Sequence, residues 1–181
     1  MTAPMSNPPT TRLDTPLGRV ELRWCGAELS GVHLGPRRDR ASATLPTLVS
    51  GHVPADGAAR RLVEEIVAYF GGAPVSLDGP VSLASGTPFQ RRVWAALRRI
   101  PHGRCSSYGE VAGCLGLPAG AARAVGAACG RNPLPIVVPC HRVVAADGSL
   151  TGFSGGLEWK QALLALEGVP VCHGRVQRDS T

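Results

Sequence analysis

A glycine- and proline-bearing stretch near the middle of the chain, residues 71–86 with Gly71-Gly72, Pro74, Pro80 and Gly86, separates two segments whose apolar residues repeat differently. Before it, Gly18-Arg-Val-Glu-Leu-Arg-Trp24 alternates apolar with polar, and Leu29 to Leu34 does so less cleanly, with Gly26 between them. A period of two on either side of a glycine predicts a β-hairpin. Asp56 then caps a helix over 58–70, where Ala59, Leu62, Val63, Ile66, Val67 and Phe70 form one apolar stripe. Beyond the stretch the signals are mainly helical. Thr87-Pro88-Phe89-Gln90 sets a cap, a first-turn proline and a capping-box glutamine at the right offsets. Phe89, Val93, Leu97 and Ile100 share one face and Arg91, Arg92, Arg98 and Arg99 the other, until Pro101 and Gly103 end the helix. Ser107-Tyr108-Gly109-Glu110 repeats the box and opens a helix to about Leu115; a Gly116-Leu117-Pro118 turn leads to a third helix from Ala119 to Gly130. A last amphipathic helix covers about 157–167.

The fold class read from this pattern is α+β. A small N-terminal α/β-type domain with a hairpin-containing sheet precedes a mainly helical C-terminal domain, whose second and third helices outline a helix-turn-helix. The divisions are a disordered leader over 1–11, the N-terminal domain over 12–72, a linker over 73–86, the C-terminal domain over 87–170 and a tail over 171–181. Residues 36–55 read as loop.

Charge locates a partner. Residues 1–85 balance eight arginines against eight acids, so the whole net charge of +6 falls on residues 86–181. A basic half beside a neutral one suggests a polyanion, although a solvated arginine face is the plainer reading of any single cluster. No apolar run approaches a membrane span, and no basic region leads into an apolar stretch at the N-terminus, so the chain reads as cytoplasmic with no membrane partner. The six cysteines form no CxxC pair and lack an export signal, which argues against a disulfide framework; Cys25 with His33 is too little for a metal site.

One cysteine stands apart. In Asn132-Pro-Leu-Pro-Ile-Val-Val-Pro-Cys-His-Arg-Val-Val144, prolines 133, 135 and 139 stiffen an apolar approach to Cys140-His141. A thiol attacks as thiolate and needs a base or a positive environment. Neighbouring side chains on extended backbone point opposite ways, so contact through a water or a local turn fits better than a direct dyad; the bland alternative is a buried, inert thiol. Thr151-Gly-Phe-Ser-Gly-Gly156 is a flexible loop without the arrangement of a phosphate loop, which excludes nucleotide hydrolysis. Glu167 sits where a helix dipole disfavours an acid, which suggests a partner such as a histidine. The third helix, with Ala121, Ala122, Ala124, Gly126, Ala127 and Ala128, is nearly bare around Arg123, as suits close approach to another helix or to a nucleic-acid groove.

The blocks Gly86-Thr-Pro-Phe-Gln-Arg-Arg-Val-Trp94, Ser107-Tyr-Gly-Glu-Val-Ala112, Ala121-Ala-Arg-Ala-Val-Gly126, Asn132-Pro133, Pro139-Cys-His-Arg-Val143 and Ser154-Gly-Gly156 follow in this order. With them, residues 87–168 resemble the O6-alkylguanine-DNA alkyltransferase family, also called methylated-DNA–protein-cysteine methyltransferases. The resemblance implies that Cys140 accepts the alkyl group, His141 acts as base through a water, Glu167 orients the imidazole and Asn132 braces the segment bearing Cys140. It implies that Arg123 replaces the extruded nucleotide, that Tyr108 presses on the adjacent phosphate, and that Ala122, Ala124 and Gly126 let the helix enter the minor groove. Tyr108, Val143, Ser154 and Phe153, which stands where a tyrosine is often found, would line the guanine pocket. The implied partner is duplex DNA bearing O6-alkylguanine, with O4-alkylthymine as a second lesion; no metal or cofactor is implied, and the protein would be a monomer that can bind DNA cooperatively. Cys105 and Cys129 read as packing residues. Three rivals remain: a silent lesion-binding relative, against which Cys140 argues; a helix-turn-helix regulator; and a cysteine hydrolase, disfavoured by the sequential Cys-His.

Overall fold

The computed structural model describes residues 8–38 and 45–177. Four antiparallel strands, β1 (Thr10–Thr15), β2 (Gly18–Cys25), β3 (Glu28–Arg37) and β4 (Thr47–Gly51), form one sheet in the order β3-β2-β1-β4. The β2–β3 hairpin follows the alternation, with Val20, Leu22 and Trp24 buried and Arg19 and Arg23 exposed.

Two strands depart from the sequence reading. β1 begins at Thr10, inside the stretch read as leader; residues 1–7 lie outside the described residues. Its inward positions are Thr11, Leu13 and Thr15, so hydroxyls hide the alternation. These hydroxyls are satisfied: Thr11 Oγ1 accepts from Trp24 Nε1 at 2.8 Å and donates to the His52 carbonyl, and Thr15 Oγ1 donates to the Gly18 carbonyl at 2.6 Å. β4, within the region read as loop, is exposed at every position and so carries no apolar face to detect.

Helix α1 (Gly57–Phe70) starts where Asp56 accepts from the amides of Ala58 and Ala59, and it buries Ala59, Leu62, Val63, Ile66, Tyr69 and Phe70. Helices α2 (Pro88–Leu97) and α3 (Tyr108–Cys114) both open on complete capping boxes. Gly86 lies flat on the Trp94 ring, where a Cβ would come within 2.3 Å, and the buried Trp94 Nε1 donates to the Ala128 carbonyl at 2.9 Å. That bond ties α2 to α4 (Ala122–Gly130), which begins after Gly120 at φ +95° rather than at Ala119. Strand β5 (Ser106–Ser107) pairs in parallel with β6 (Val143–Val144), and α5 (Leu157–Leu166) closes the helical part. The tail departs from expectation too: β7 (Val171–Cys172) and β8 (Arg175–Val176) form a small hairpin whose Val176 packs with Val144, Leu164 and Val169.

The two halves share one core. Val32 N donates to the Pro133 carbonyl at 2.8 Å and Trp159 Nε1 to the Gly35 carbonyl at 2.8 Å, so β3 holds both the proline-rich segment and α5. Among the described residues no helix is long and apolar enough to cross a membrane. All six cysteines are free.

Candidate functional site

The segment carrying Cys140 is built from its root. Asn132, just past α4, donates through Nδ2 to the Val138 carbonyl at 2.8 Å and to Cys140 Sγ at 3.1 Å, while its Oδ1 accepts from Leu134 N at 3.0 Å. One buried side chain thereby closes residues 132–140 into a loop and touches the sulfur. The closure is tight enough to hold Ile136, a β-branched residue, at φ +80°, a conformation such residues adopt only under strain from their surroundings.

The backbone at the sulfur is not extended. Cys140–Arg142 is a 3₁₀ turn, because Pro139 cannot continue a strand ladder and its carbonyl accepts from Arg142 N at 3.0 Å. Cys140 and His141 still share no hydrogen bond among the described residues. Cys140 is 4% exposed; burial pushes its thiol pKa up, against the opposing pull of the Asn132 amide and the Lys160 charge. It rests as a thiol and needs a base.

His141 is fully buried. Its Nε2 lies 2.8 Å from Glu167 Oε1, and its Nδ1 has no partner among the described residues. Burial, joined by the charges of Arg142 and Lys160, lowers the imidazole pKa against the raising effect of Glu167, which keeps the ring neutral at pH 7. Glu167 caps the C-terminus of α5, where the helix dipole opposes it, and it is held by donors from elsewhere. Arg142 Nε reaches Oε2 at 2.9 Å, Arg142 Nη2 reaches Oε1 at 2.9 Å, and Gly103 N reaches Oε2 at 3.1 Å. Burial raises this carboxyl's pKa, but the hydrogen bonds and charges of His141 and Arg142 outweigh it and hold the pKa well below the carboxylate range.

An open cleft of about 560 Å³ is lined by Tyr108, Ala122, Arg123, Gly126, Gly130 and the loop residues Thr151 to Ser154. It thus collects Tyr108, Ala122, Arg123, Gly126, Phe153 and Ser154, which the sequence singled out separately. The edge of Phe153 meets the His141 ring at 6.5 Å between centroids, and Thr151 Oγ1 donates to the Tyr108 hydroxyl at 3.1 Å. Ala124 is exposed on α4 but does not line the cleft, and the Val143 side chain is buried in β6. The loop is less free than its glycines suggest, because a Cβ on Gly155 would come within 2.9 Å of Leu34. Cys129 is buried, and that burial pushes its thiol pKa to about 12, which leaves it unreactive at neutral pH.

Three residues at the site escaped the sequence reading. Arg142 lies inside the Pro-Cys-His-Arg block but had no role until its partner Glu167 was placed. Tyr69 reaches the site from α1 and donates to Glu167 Oε1 at 2.7 Å. Lys160, the one lysine of the chain, is fully buried, and its Nζ donates to the carbonyls of Val143 at 2.6 Å and Thr151 at 2.8 Å, joining β6 to the glycine-rich loop. A single lysine among Trp159, Ala162, Leu163 and Leu164 was the available signal.

Burial pulls the Lys160 pKa down to about 8, only partly offset by Cys140, Cys129 and Cys105. A lysine depressed in the folded state binds fewer protons there than in the unfolded chain, so stability rises with pH through that window. The wild type is expected to gain stability relative to Lys160→Met from about pH 8 up to about pH 10.4, where the unfolded lysine also deprotonates. Urea unfolding of both proteins across this range measures the difference, and a difference independent of pH would contradict it.

Comparison with known proteins agrees with this geometry. The 6-O-methylguanine DNA methyltransferase, DNA binding domain family matches residues 88–169. The methylated-DNA–protein-cysteine methyltransferase of Mycobacterium tuberculosis is 44% identical over 155 residues, which is 86% of this chain and 89% of that protein. That of Salmonella typhimurium is 52% identical over 107 residues, covering 59% and 62% of the two chains. Among solved structures, M. tuberculosis OGT in complex with DNA superposes with a TM-score of 0.70 at 41% identity, covering 88% of this chain and 92% of that one. The O6-methylguanine-DNA methyltransferase of Pyrococcus kodakaraensis superposes with a TM-score of 0.58 at 27% identity, covering 83% and 92%. A buried cysteine beside a histidine–glutamate pair under a basic helix-turn-helix, with identity running through both halves, leads to one conclusion: the chain belongs to the methylated-DNA–protein-cysteine methyltransferase family.

Proposed function

We propose that this protein repairs DNA in the cytoplasm by transferring the alkyl group of O6-alkylguanine, and of O4-alkylthymine, from duplex DNA to Cys140. The observation that carries the reading is the His141 ring, with Nε2 against Glu167 and a buried Nδ1 left without a partner, one residue from a buried thiol. A neutral imidazole whose Nε2 faces a carboxylate keeps Nδ1 as its proton acceptor.

A lesion on the guanine oxygen lies within the base stack, so the nucleotide must leave the duplex, which costs a few kcal/mol. Arg123 on the bare face of α4 fills the space left behind, and Ala122, Ala124 and Gly126 let the helix approach the minor groove. Tyr108 presses on the adjacent phosphate. The extruded base enters the cleft between Tyr108 and the loop carrying Phe153 and Ser154, with backbone groups at Cys140 and Val143 reading its edge. His141 Nδ1 then takes the Cys140 proton through a water while Glu167 steadies the imidazolium that forms. The sulfur forms a bond to the alkyl carbon as the carbon–oxygen bond breaks, and the guanine leaves with the electron pair and is protonated. Donors to its developing charge lower the barrier. The thioether is inert, so each molecule acts once.

Incubation with duplex DNA bearing radiolabelled O6-methylguanine tests the reading. About one label per protein, absent from Cys140→Ser, is expected; many turnovers, or no transfer, would sink it. The silent lesion-binding alternative predicts binding without transfer in the wild type.

A further inference from the structure

Nothing in the sequence of the N-terminal half suggested chemistry, yet one of its residues touches the proton-handling groups. Tyr69, in the last turn of α1, is fully buried. Its hydroxyl lies 2.7 Å from Glu167 Oε1 and 3.4 Å from His141 Nε2. The phenol has one proton to give and two candidate acceptors. Glu167 is ionised, since Arg142 and His141 hold its proton affinity down, so it can only accept. The shorter distance assigns the phenol proton to Oε1. The imidazole Nε2 faces that same oxygen at 2.8 Å, and without a hydrogen its lone pair would meet the carboxylate. It must therefore carry the proton itself.

We propose that Tyr69 is a positioning residue for alkyl transfer: its hydroxyl pins Glu167 Oε1 and so fixes the Nε2–H tautomer of His141, leaving Nδ1 as the base. The inference rests on the alkyl-transfer reading. It gives the N-terminal half a part in the reaction, delivered through one hydroxyl. Were that hydroxyl absent, Oε1 would keep its hydrogen bonds to Arg142 but lose its one donor from α1, the side that faces His141 Nε2 at 3.4 Å. The carboxylate could then turn away from Nε2, and the ring could take the Nδ1–H form, which cannot accept the thiol proton.

Tyr69→Phe keeps the ring and removes only the oxygen. Its single-turnover rate at saturating damaged duplex is expected to fall about tenfold, as for loss of a hydrogen bond to a charged group. Its DNA affinity, measured in a Cys140→Ser background, is expected to stay unchanged. ¹⁵N spectra of histidine-labelled free protein, with His141 assigned by its loss in His141→Gln, are expected to show one Nε2–H tautomer in the wild type and a mixture in Tyr69→Phe. Phe70→Leu is the control for general loosening of α1, and it is expected to lower the melting temperature while keeping rate and tautomer. A wild-type rate in Tyr69→Phe, an unchanged tautomer, or an equal loss of rate in Phe70→Leu overturns the proposal. The spectra need no substrate, so an inactive wild type would defeat the alkyl-transfer reading while the spectra still decide what Tyr69 does to His141.

Discussion

Glu167→Ala is expected to lose both the reaction and much of the stability of the fold. The side chain is completely buried and pairs with Arg142, which is itself 8% exposed. Removing one partner strands a buried guanidinium, and such a change costs about 3–5 kcal/mol. For a chain of this size that corresponds to a fall in melting temperature of roughly 10 °C. The rate loss has a separate cause. In the proposed mechanism the His141 ring would lose its anchor and its balancing charge, and loss of general-base function typically costs about a hundredfold or more. Acid sensitivity separates the two effects further. A carboxyl with a pKa depressed in the folded state contributes stability that is complete above the unfolded value of about 4.3 and disappears as pH falls toward the folded value. The gap between wild type and Glu167→Ala should therefore narrow as pH drops below 5. Calorimetry at pH 7 and at successively lower pH measures this; a gap that stays constant would mean that the charge contributes nothing.

Arg123→Ala is expected to do the opposite, leaving stability untouched while removing most activity on duplex DNA. Arg123 is exposed on α4 and lines the cleft, so its loss should shift stability by no more than about 0.5 kcal/mol. If it replaces the extruded nucleotide, its removal leaves the unstacking cost of a few kcal/mol unmet, and the single-turnover rate on duplex substrate should fall about a hundredfold. A free O6-alkylguanine base needs no extrusion. Transfer from that small substrate is expected to match the wild type, and equal losses on both substrates would place Arg123 in the chemistry rather than in flipping.

What the sequence revealed and what it concealed have physical reasons. Thr87, Gln90, Ser107 and Glu110 act within one helical turn, so their capping boxes were legible and the structure forms both. The β2–β3 hairpin was legible because its inward face is wholly apolar. β1 was not, because Thr11 and Thr15 bury hydroxyls whose partners lie on other strands and loops. The site divides the same way. Cys140, His141 and Asn132 lie close in sequence and within a stiff segment, and the misplaced charge of Glu167 marked it as needing a partner. Tyr69 is 72 residues from His141 and 98 from Glu167, and on the sequence it is one more aromatic residue near the end of an amphipathic helix. Only the packing of α1 against the helical half turns it toward the carboxylate.

The burial of Lys160 has a practical consequence. The folded protein offers amine-directed reagents no side chain, because its one ε-amine is sealed beneath the loop that covers the site. Acylating dyes, crosslinkers and immobilisation chemistries will leave Lys160 untouched while the fold is closed. A tag on Lys160 can appear only when α5 and the loop part, so the fraction of the Lys160 peptide that carries a tag in a mass spectrum counts how often this part of the fold opens.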